Sequence, residues 1–253
     1  MRTIVVTGAG TGIGRAIALK LASDGATVAL MARNQARLEE TAQTIQAAGG
    51  VASTHACDIR DQAAVVHAFE AAAQAHGPLH GLVANSGIGG PNAPGPEDRF
   101  VDLVQTNLVG TYFCLRAAQA HLAPGPQARH MVVISSILGR FGVPGYTGYC
   151  ASKTALLGLV RALSLELAED GVLVNAVCPG WVDTDMAWEG IDGMAQGMGV
   201  SREEAHRIAM EPVPLGRMST PDEIARSVSW LMSPDASSIT GQGIDVNAGA
   251  WMG

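Results

Sequence analysis

Thr7-Gly8-Ala9-Gly10-Thr11-Gly12-Ile13-Gly14 lies between an apolar run, Thr3–Thr7, and a helical pattern, Ile13–Asp24. Glycines at alternate positions let a backbone turn tightly and approach a diphosphate. The helix that follows offers free N–H groups and the positive end of its dipole. The spacing is not Gly-x-Gly-x-x-Gly, since residue 13 is Ile, and no Gly-Lys-Ser/Thr follows. A P-loop nucleotide triphosphatase is therefore disfavoured.

From this turn the same alternation continues along the chain. Further strand-like runs are Thr27–Ala32, Ala52–Ala56, Leu79–Ala84, Met131–Ser135, Leu173–Val177 and Ile244–Val246. Helical patterns occupy Gln35–Ala48, Gln62–Ala75, Val101–Ala123, Thr147–Glu169 and Pro221–Met232. The strands are apolar almost throughout rather than alternating, as in a parallel sheet covered on both faces. The expectation is an α/β fold, a single doubly wound Rossmann-type domain over residues 1–253 with seven parallel strands. Two stretches read as irregular: the Gly/Pro-rich Gly87–Gly95, and Trp181–Pro214, which looks like a mobile substrate lid.

Composition narrows the function. The chain has 253 residues, 47% of them hydrophobic, enough for one large core. The formal net charge is −7 and no Lys/Arg stripe appears, which argues against nucleic acid or anionic membrane as partner. No apolar run approaches the ~18 residues of a membrane span. The N-terminus has no signal-peptide architecture, so a cytoplasmic location is expected. Cys57, Cys114, Cys150 and Cys178 stand apart and read as reduced thiols. His76 and His80 are separated by Gly77-Pro78, and no metal site is expected.

Two places speak to chemistry. Ala32-Arg33 ends the second strand where an Asp or Glu would hold an adenine ribose hydroxyl, and Arg37 lies a turn onward. A guanidinium without a carboxylate favours NADP(H), with NAD(H) the alternative. Tyr149 and Lys153 are four residues apart on one helix face, where an ammonium could lower the phenol pKa.

Taken in order, these motifs resemble the short-chain dehydrogenase/reductase family over essentially the whole chain, closest in feel to bacterial 3-oxoacyl and polyketide-type ketoreductases. The family's glycine motif matches Thr7, Gly8, Gly12 and Gly14, and its adenine-contacting Asp matches Asp58. Asn85 and Gly87 match two positions of its Asn-Asn-Ala-Gly, and Ala84 and Ser86 depart from the others. The resemblance implies a catalytic set of Asn107, Ser136, Tyr149 and Lys153. It implies cofactor contacts from Gly8, Thr11, Gly12, Ile13, Gly14, Arg33, Asp58, Ile59, Asn85, Gly87, Tyr149, Lys153, Pro179, Gly180, Val182 and Thr184. Tyr149 would be the general acid, Ser136 would bind the carbonyl oxygen, Lys153 would lower the Tyr pKa and grip a ribose, and Asn107 would position a water.

The expected reaction interconverts a ketone and a secondary alcohol on a mainly apolar small molecule. Leu138, Val143, Tyr146, Trp181 and Trp188 are candidate substrate-side residues. A 3-oxoacyl substrate on a carrier protein or coenzyme A is an alternative, disfavoured by the acidic charge, since an acidic carrier would need a basic docking patch. A catalytically silent dinucleotide sensor is a second alternative. The family also implies a homotetramer or homodimer paired through the long helices Val101–Ala123 and Thr147–Glu169.

Overall fold

The computed structural model describes residues 2–125, 127 and 129–253. Seven parallel strands form one sheet: β1 Thr3–Thr7, β2 Thr27–Ala32, β3 Val51–Ala56, β4 Gly81–Ala84, β5 Arg129–Ile134, β6 Val172–Pro179 and β7 Gly243–Val246. Their order is β3-β2-β1-β4-β5-β6-β7. The order reverses between β1 and β4, and the crevice at the carboxyl ends of that pair is where such sheets bind ligands. Strand burial follows position. All five residues of β1 and all six of β5 are buried, whereas the edge strand β3 is only partly covered.

The helices fall on both faces. α1 Gly12–Ser23, α2 Gln35–Ala47 and α9 Pro221–Leu231 cover one face, with Ile17, Leu21, Leu38, Ile45, Ile224 and Val228 packed on the strands. On the other lie α3 Gln62–His76, α5 Thr111–Ala120 and α6 Thr147–Glu166, which bury Phe69, Leu115, Leu156, Val160 and Leu163. At roughly 1.5–3 kcal/mol for each large apolar side chain withdrawn from water, these two layers hold the sheet.

Two expectations need correction. The stretch read as one helix over Val101–Ala123 is α4 Phe100–Val104, a π-helical turn at Gln105–Gly110, and α5. Gly110 sits so close to Ile59 that a Cβ there would lie 2.8 Å from its side chain, which binds the π turn to the end of β3. The stretch read as irregular contains α7 Asp185–Met198 and α8 Arg202–Met210. Gly190, Gly193 and Gly197 weaken α7 by about 1 kcal/mol each relative to Ala, which hid it. Packing overrides them: Ala187, Ile191 and Ala195 recur at four-residue spacing and bury against Ala205 and Ala209 of α8. Thr184 and Ser201 cap the two N-termini.

Candidate active site

The turn after β1 is built by close approach. Gly8 and Gly12 have φ of +67° and +51°, where an L side chain is strained. A Cβ on Gly14 would lie 2.1 Å from the Gly8 carbonyl oxygen. Asn85, at the end of β4, donates from Nδ2 to the Thr7 carbonyl at 3.0 Å, while Thr7 Oγ1 accepts from the Asn85 and Ser86 N–H groups at 3.0 Å. Helix α1 differs from α2, α3, α7, α8 and α9, whose first-turn N–H groups are capped by Asn34, Asp61, Thr184, Ser201 and Thr220. Thr11, its N-cap residue, is exposed and provides no side-chain cap. Free amides, a positive dipole end and a cradle that a Cβ would fill suit a dinucleotide diphosphate.

The remaining cofactor candidates surround this turn. Pro179 closes β6, and Gly180 packs so tightly that a Cβ would lie 3.0 Å from Asn247. Val182 is buried and pairs with Ser219. Thr184 leans over the glycine turn, its Cγ2 3.2 Å from where a Gly12 Cβ would be. Arg33 is exposed, and among the described residues it makes no ion pair, whereas Arg37 pairs with Glu40 at 3.3 Å. Asp58 is held by Arg60, whose Nη2 donates at 2.7 Å and whose backbone N–H donates at 3.0 Å. These bonds hold its carboxyl below the usual carboxylate range.

Beyond the turn, three elements, the end of β5, the π turn and α6, bring the expected catalytic set together. β5 delivers Ser136 just past its end, and α6 presents Tyr149 and Lys153 in its first two turns. Ser136 Oγ accepts from the Leu138 N–H at 3.1 Å and acts on the Tyr149 phenol. Lys153, 5% exposed, donates from Nζ to the Ile134 carbonyl at 2.9 Å, with Nζ 5.7 Å from the Tyr149 ring centre. Gly87 is the floor between Asn107 and Lys153: a Cβ there would lie 3.0 Å from Asn107 Oδ1 and 3.5 Å from Lys153 Nζ.

Burial acts on both members of the Tyr149–Lys153 pair. Withdrawal from water pushes the Tyr149 phenol above its ordinary value, and the Ser136 hydroxyl only partly offsets this. The same withdrawal drives the Lys153 ammonium down from 10.5 to about 8. Lys153 therefore does not produce a low phenol pKa among the protein groups alone. Withdrawal from water acts against both charged forms at once.

Asn107 is fully buried and its amide is fully engaged. Oδ1 accepts from the Ile88 N–H at 2.8 Å, while Nδ2 donates to the Ile88 carbonyl at 3.0 Å and to Ser152 Oγ at 3.1 Å. Ser152 in turn donates to the Tyr149 carbonyl at 2.8 Å, and Ser135 donates to the Lys153 carbonyl at 2.8 Å. These two serines brace the helix turn that carries Tyr149 and Lys153. Sequence reading missed Ser152; its only signal was a hydroxyl beside the Lys on a turn already marked by Tyr149.

Beside the Ser–Tyr–Lys cluster, Gly89, Tyr149 and Met186 converge. A Cβ on Gly89 would lie 3.1 Å from Met186 Sδ and 3.9 Å from Tyr149 Cε2. Leu138, Val143 and Tyr146 are partly exposed between Ser136 and Tyr149. Trp188 is used differently, in holding α7 to α8. Its Nε1 donates to Asp183 at 2.7 Å, and its ring lies 5.2 Å from His206 and 5.4 Å from the Arg202 guanidinium. Trp181 joins the same cluster and packs over Gly190.

A doubly wound parallel sheet with a glycine cradle at the switch point and an adjoining Ser–Tyr–Lys cluster fits a dinucleotide-dependent oxidoreductase. A family model described as enoyl-(acyl carrier protein) reductase matches residues 8–250. The chain is 35% identical over 252 residues to 2-(S)-hydroxypropyl-CoM dehydrogenase 3 of Xanthobacter autotrophicus, covering 97% of this chain and 95% of that one. It is 34% identical over 254 residues to the 3-oxoacyl-[acyl-carrier-protein] reductase MabA of Mycobacterium tuberculosis, covering 100% and 94%. A solved actinorhodin polyketide ketoreductase variant with NADPH superposes with a TM-score of 0.93 at 34% identity, over 98% of this chain and 97% of that one. The chain belongs to the short-chain dehydrogenase/reductase family and is an NAD(P)-dependent oxidoreductase.

Proposed function

We propose that the protein is an NADPH-dependent carbonyl reductase that converts a mainly apolar ketone to a secondary alcohol. The observation that carries this reading is the grouping of the Ser136 and Tyr149 hydroxyls beside Lys153, at a cleft edge made of Gly89 and Met186. The bound dinucleotide would supply the hydride. Ser136 donates a hydrogen bond to the carbonyl oxygen and stabilises its growing charge. Tyr149 then transfers its phenolic proton to that oxygen. Lys153 and Asn107 hold the turn and its surroundings in place. The residues that would hold the cofactor are the α1 amides over Thr11–Gly14, Thr184 above them and, for a 2′-phosphate, the exposed Arg33. The relatives named as ketoreductases and 3-oxoacyl reductases support a carbonyl substrate, and the actinorhodin ketoreductase structure with NADPH supports that cofactor. The net charge of −7 favours a free small molecule over an acidic carrier-bound one.

The test is NADPH oxidation with aryl ketones, cyclic ketones and 3-oxoacyl thioesters. Tyr149→Phe should lower turnover by about 10²-fold or more, the scale of a lost general acid. NADPH binding with no turnover of any ketone by the wild type would favour a silent sensor. Arg33→Asp should move the preference towards NADH; an unchanged NADPH/NADH ratio would overturn the role given to Arg33. The reading includes a homo-oligomer formed through α5 and α6, where Tyr112 and Leu165 are exposed. A monomer by light scattering would refute that assembly.

A further inference from the structure

The helix that carries Tyr149 does not cap itself. Its N-cap residue, Tyr146, makes no side-chain cap, although the phenol that would do the chemistry lies in the very next turn. The missing cap comes from another loop. Asn92 Oδ1 accepts from the Gly148 N–H at 2.8 Å and from the Thr147 hydroxyl at 3.2 Å. Its Nδ2 donates to Thr147 Oγ1 at 3.0 Å and to Asp98 Oδ1 at 2.9 Å. Its own N–H donates to the Gly145 carbonyl at 2.8 Å. One amide thus ties together the loop before α6, the first turn of α6 and the approach to α4. Asp98 is itself anchored, accepting from the Phe100 N–H at 2.9 Å.

The loop that carries Asn92 also builds the cleft. Gly89, three residues upstream, lies against Tyr149 and Met186. Gly148 is pressed on the same junction: a Cβ there would sit 3.0 Å from Leu103, 3.1 Å from the Phe100 backbone and 3.3 Å from Asn92 Oδ1. The cleft wall and the turn bearing the acid are therefore coupled at one side chain. A cap satisfies N–H groups that otherwise fray, and fraying of the first turn would move Tyr149 directly.

We propose that Asn92 is a positioning residue for Tyr149, supplying from a separate loop the N-terminal cap of the catalytic helix and locking that helix to the wall of the substrate cleft. The inference rests on the proposed role of Tyr149 as the acid, but its first test does not. The chain has three tyrosines, so 13Cζ-tyrosine labelling of the full-length protein resolves them, with Tyr149→Phe assigning the resonance. In Asn92→Ala the Tyr149 phenol should titrate closer to the free value of ~10 than in wild type, because a frayed turn readmits water. An unchanged Tyr149 titration would overturn the proposal, whether or not any ketone is reduced.

The second test uses whichever panel ketone the wild type reduces fastest, well below the melting temperature, with kcat expressed per NADPH-binding site. Asn92→Ala should lower kcat about fivefold to tenfold, the scale of a lost cap, and leave NADPH affinity within about twofold. The double swap Asn92→Asp with Asp98→Asn keeps an acceptor for Gly148 and reverses the side-chain pair. It should recover most of the lost kcat and restore the Tyr149 titration. Full kcat per site in Asn92→Ala would assign Asn92 to stability alone. A swap as impaired as Asn92→Ala would equally overturn the capping argument.

Discussion

Replacing Lys153 with methionine should make the protein more stable at neutral pH while disabling it. The side chain is buried, with the Ile134 carbonyl as its hydrogen-bond acceptor, and withdrawal from water lowers its pKa from 10.5 to about 8. As pH falls from 10.5, the unfolded chain takes up this proton first. Lys153 therefore costs no stability above that pH, costs progressively more between 10.5 and 8, and costs a constant amount below 8. At ~1.4 kcal/mol per unit the constant cost is about 3 kcal/mol. Methionine has a similar length and no charge. Its substitution leaves the Ile134 carbonyl unpaired, which returns about 1 kcal/mol of the gain. A net gain of about 2 kcal/mol corresponds to a rise in melting temperature of about 4–8 °C for a chain of this size. Thermal melts of wild type and Lys153→Met at pH 7 and pH 11 check the sign. The advantage should be present at pH 7 and absent or reversed at pH 11, while ketone reduction is depressed and NADPH binding weakened. A variant that melts at or below wild type at pH 7 would refute the reasoning, as would an advantage that persists undiminished at pH 11.

Gly14→Ala places a Cβ 2.1 Å from the Gly8 oxygen and 2.4 Å from Asn85 Nδ2, and this backbone contact cannot yield cheaply. Calorimetry should find NADPH binding lost and stability reduced by about 1–3 kcal/mol or more. Gly193→Ala in α7, with nothing within 4 Å of its Cβ, should instead stabilise by about 0.5–1 kcal/mol. His130 is 3% exposed with its Nδ1 unpaired among the described residues, and burial, then the nearby Arg2 charge, pushes its pKa down. Stability should therefore fall as pH drops below ~6.5, where the unfolded histidine protonates first. Urea titrations of His130→Asn between pH 7 and pH 5 should show a flatter loss than wild type; equal slopes would refute the assignment.

The strands and the glycine turn were legible because their signals are local. An apolar run of five or six residues has few fates when glycines and a helix follow it, and β1, β2 and β5 lie close to where their sequences place them. The grouping of Ser136, Tyr149 and Lys153 was legible through the spacing of the family they resemble. What escaped was set by tertiary context. α7 carries three glycines and a weak intrinsic preference, and it exists because Ile191 and Ala195 have α8 to bury against. The π turn around Asn107 depends on Gly110 meeting Ile59, two residues far apart in sequence. Asn92 sits in a stretch that reads as mere Gly/Pro-rich loop, and its partners Gly148 and Asp98 become visible only once α4 and α6 are packed side by side.

The Tyr–Lys pair also bears on the direction of the reaction. Sequence spacing gives proximity, and proximity of a phenol and an ammonium argues for a lowered phenol pKa. It does not give the water content of the site, which acts on both groups as well. With burial pushing the phenol up and the ammonium down to about 8, the protein groups alone favour a protonated Tyr149 at neutral pH. A protonated phenol is what carbonyl reduction needs, because the oxygen receiving the hydride becomes an alkoxide, a far stronger base than a phenolate. Alcohol oxidation needs the opposite starting state, with Tyr149 deprotonated. Under the proposed reaction, reduction should therefore vary little around pH 7, and oxidation should climb steadily as pH rises towards the phenol pKa. Initial rates in both directions from pH 6 to pH 10 separate this from a phenol already lowered to neutrality, for which oxidation would level off near pH 7.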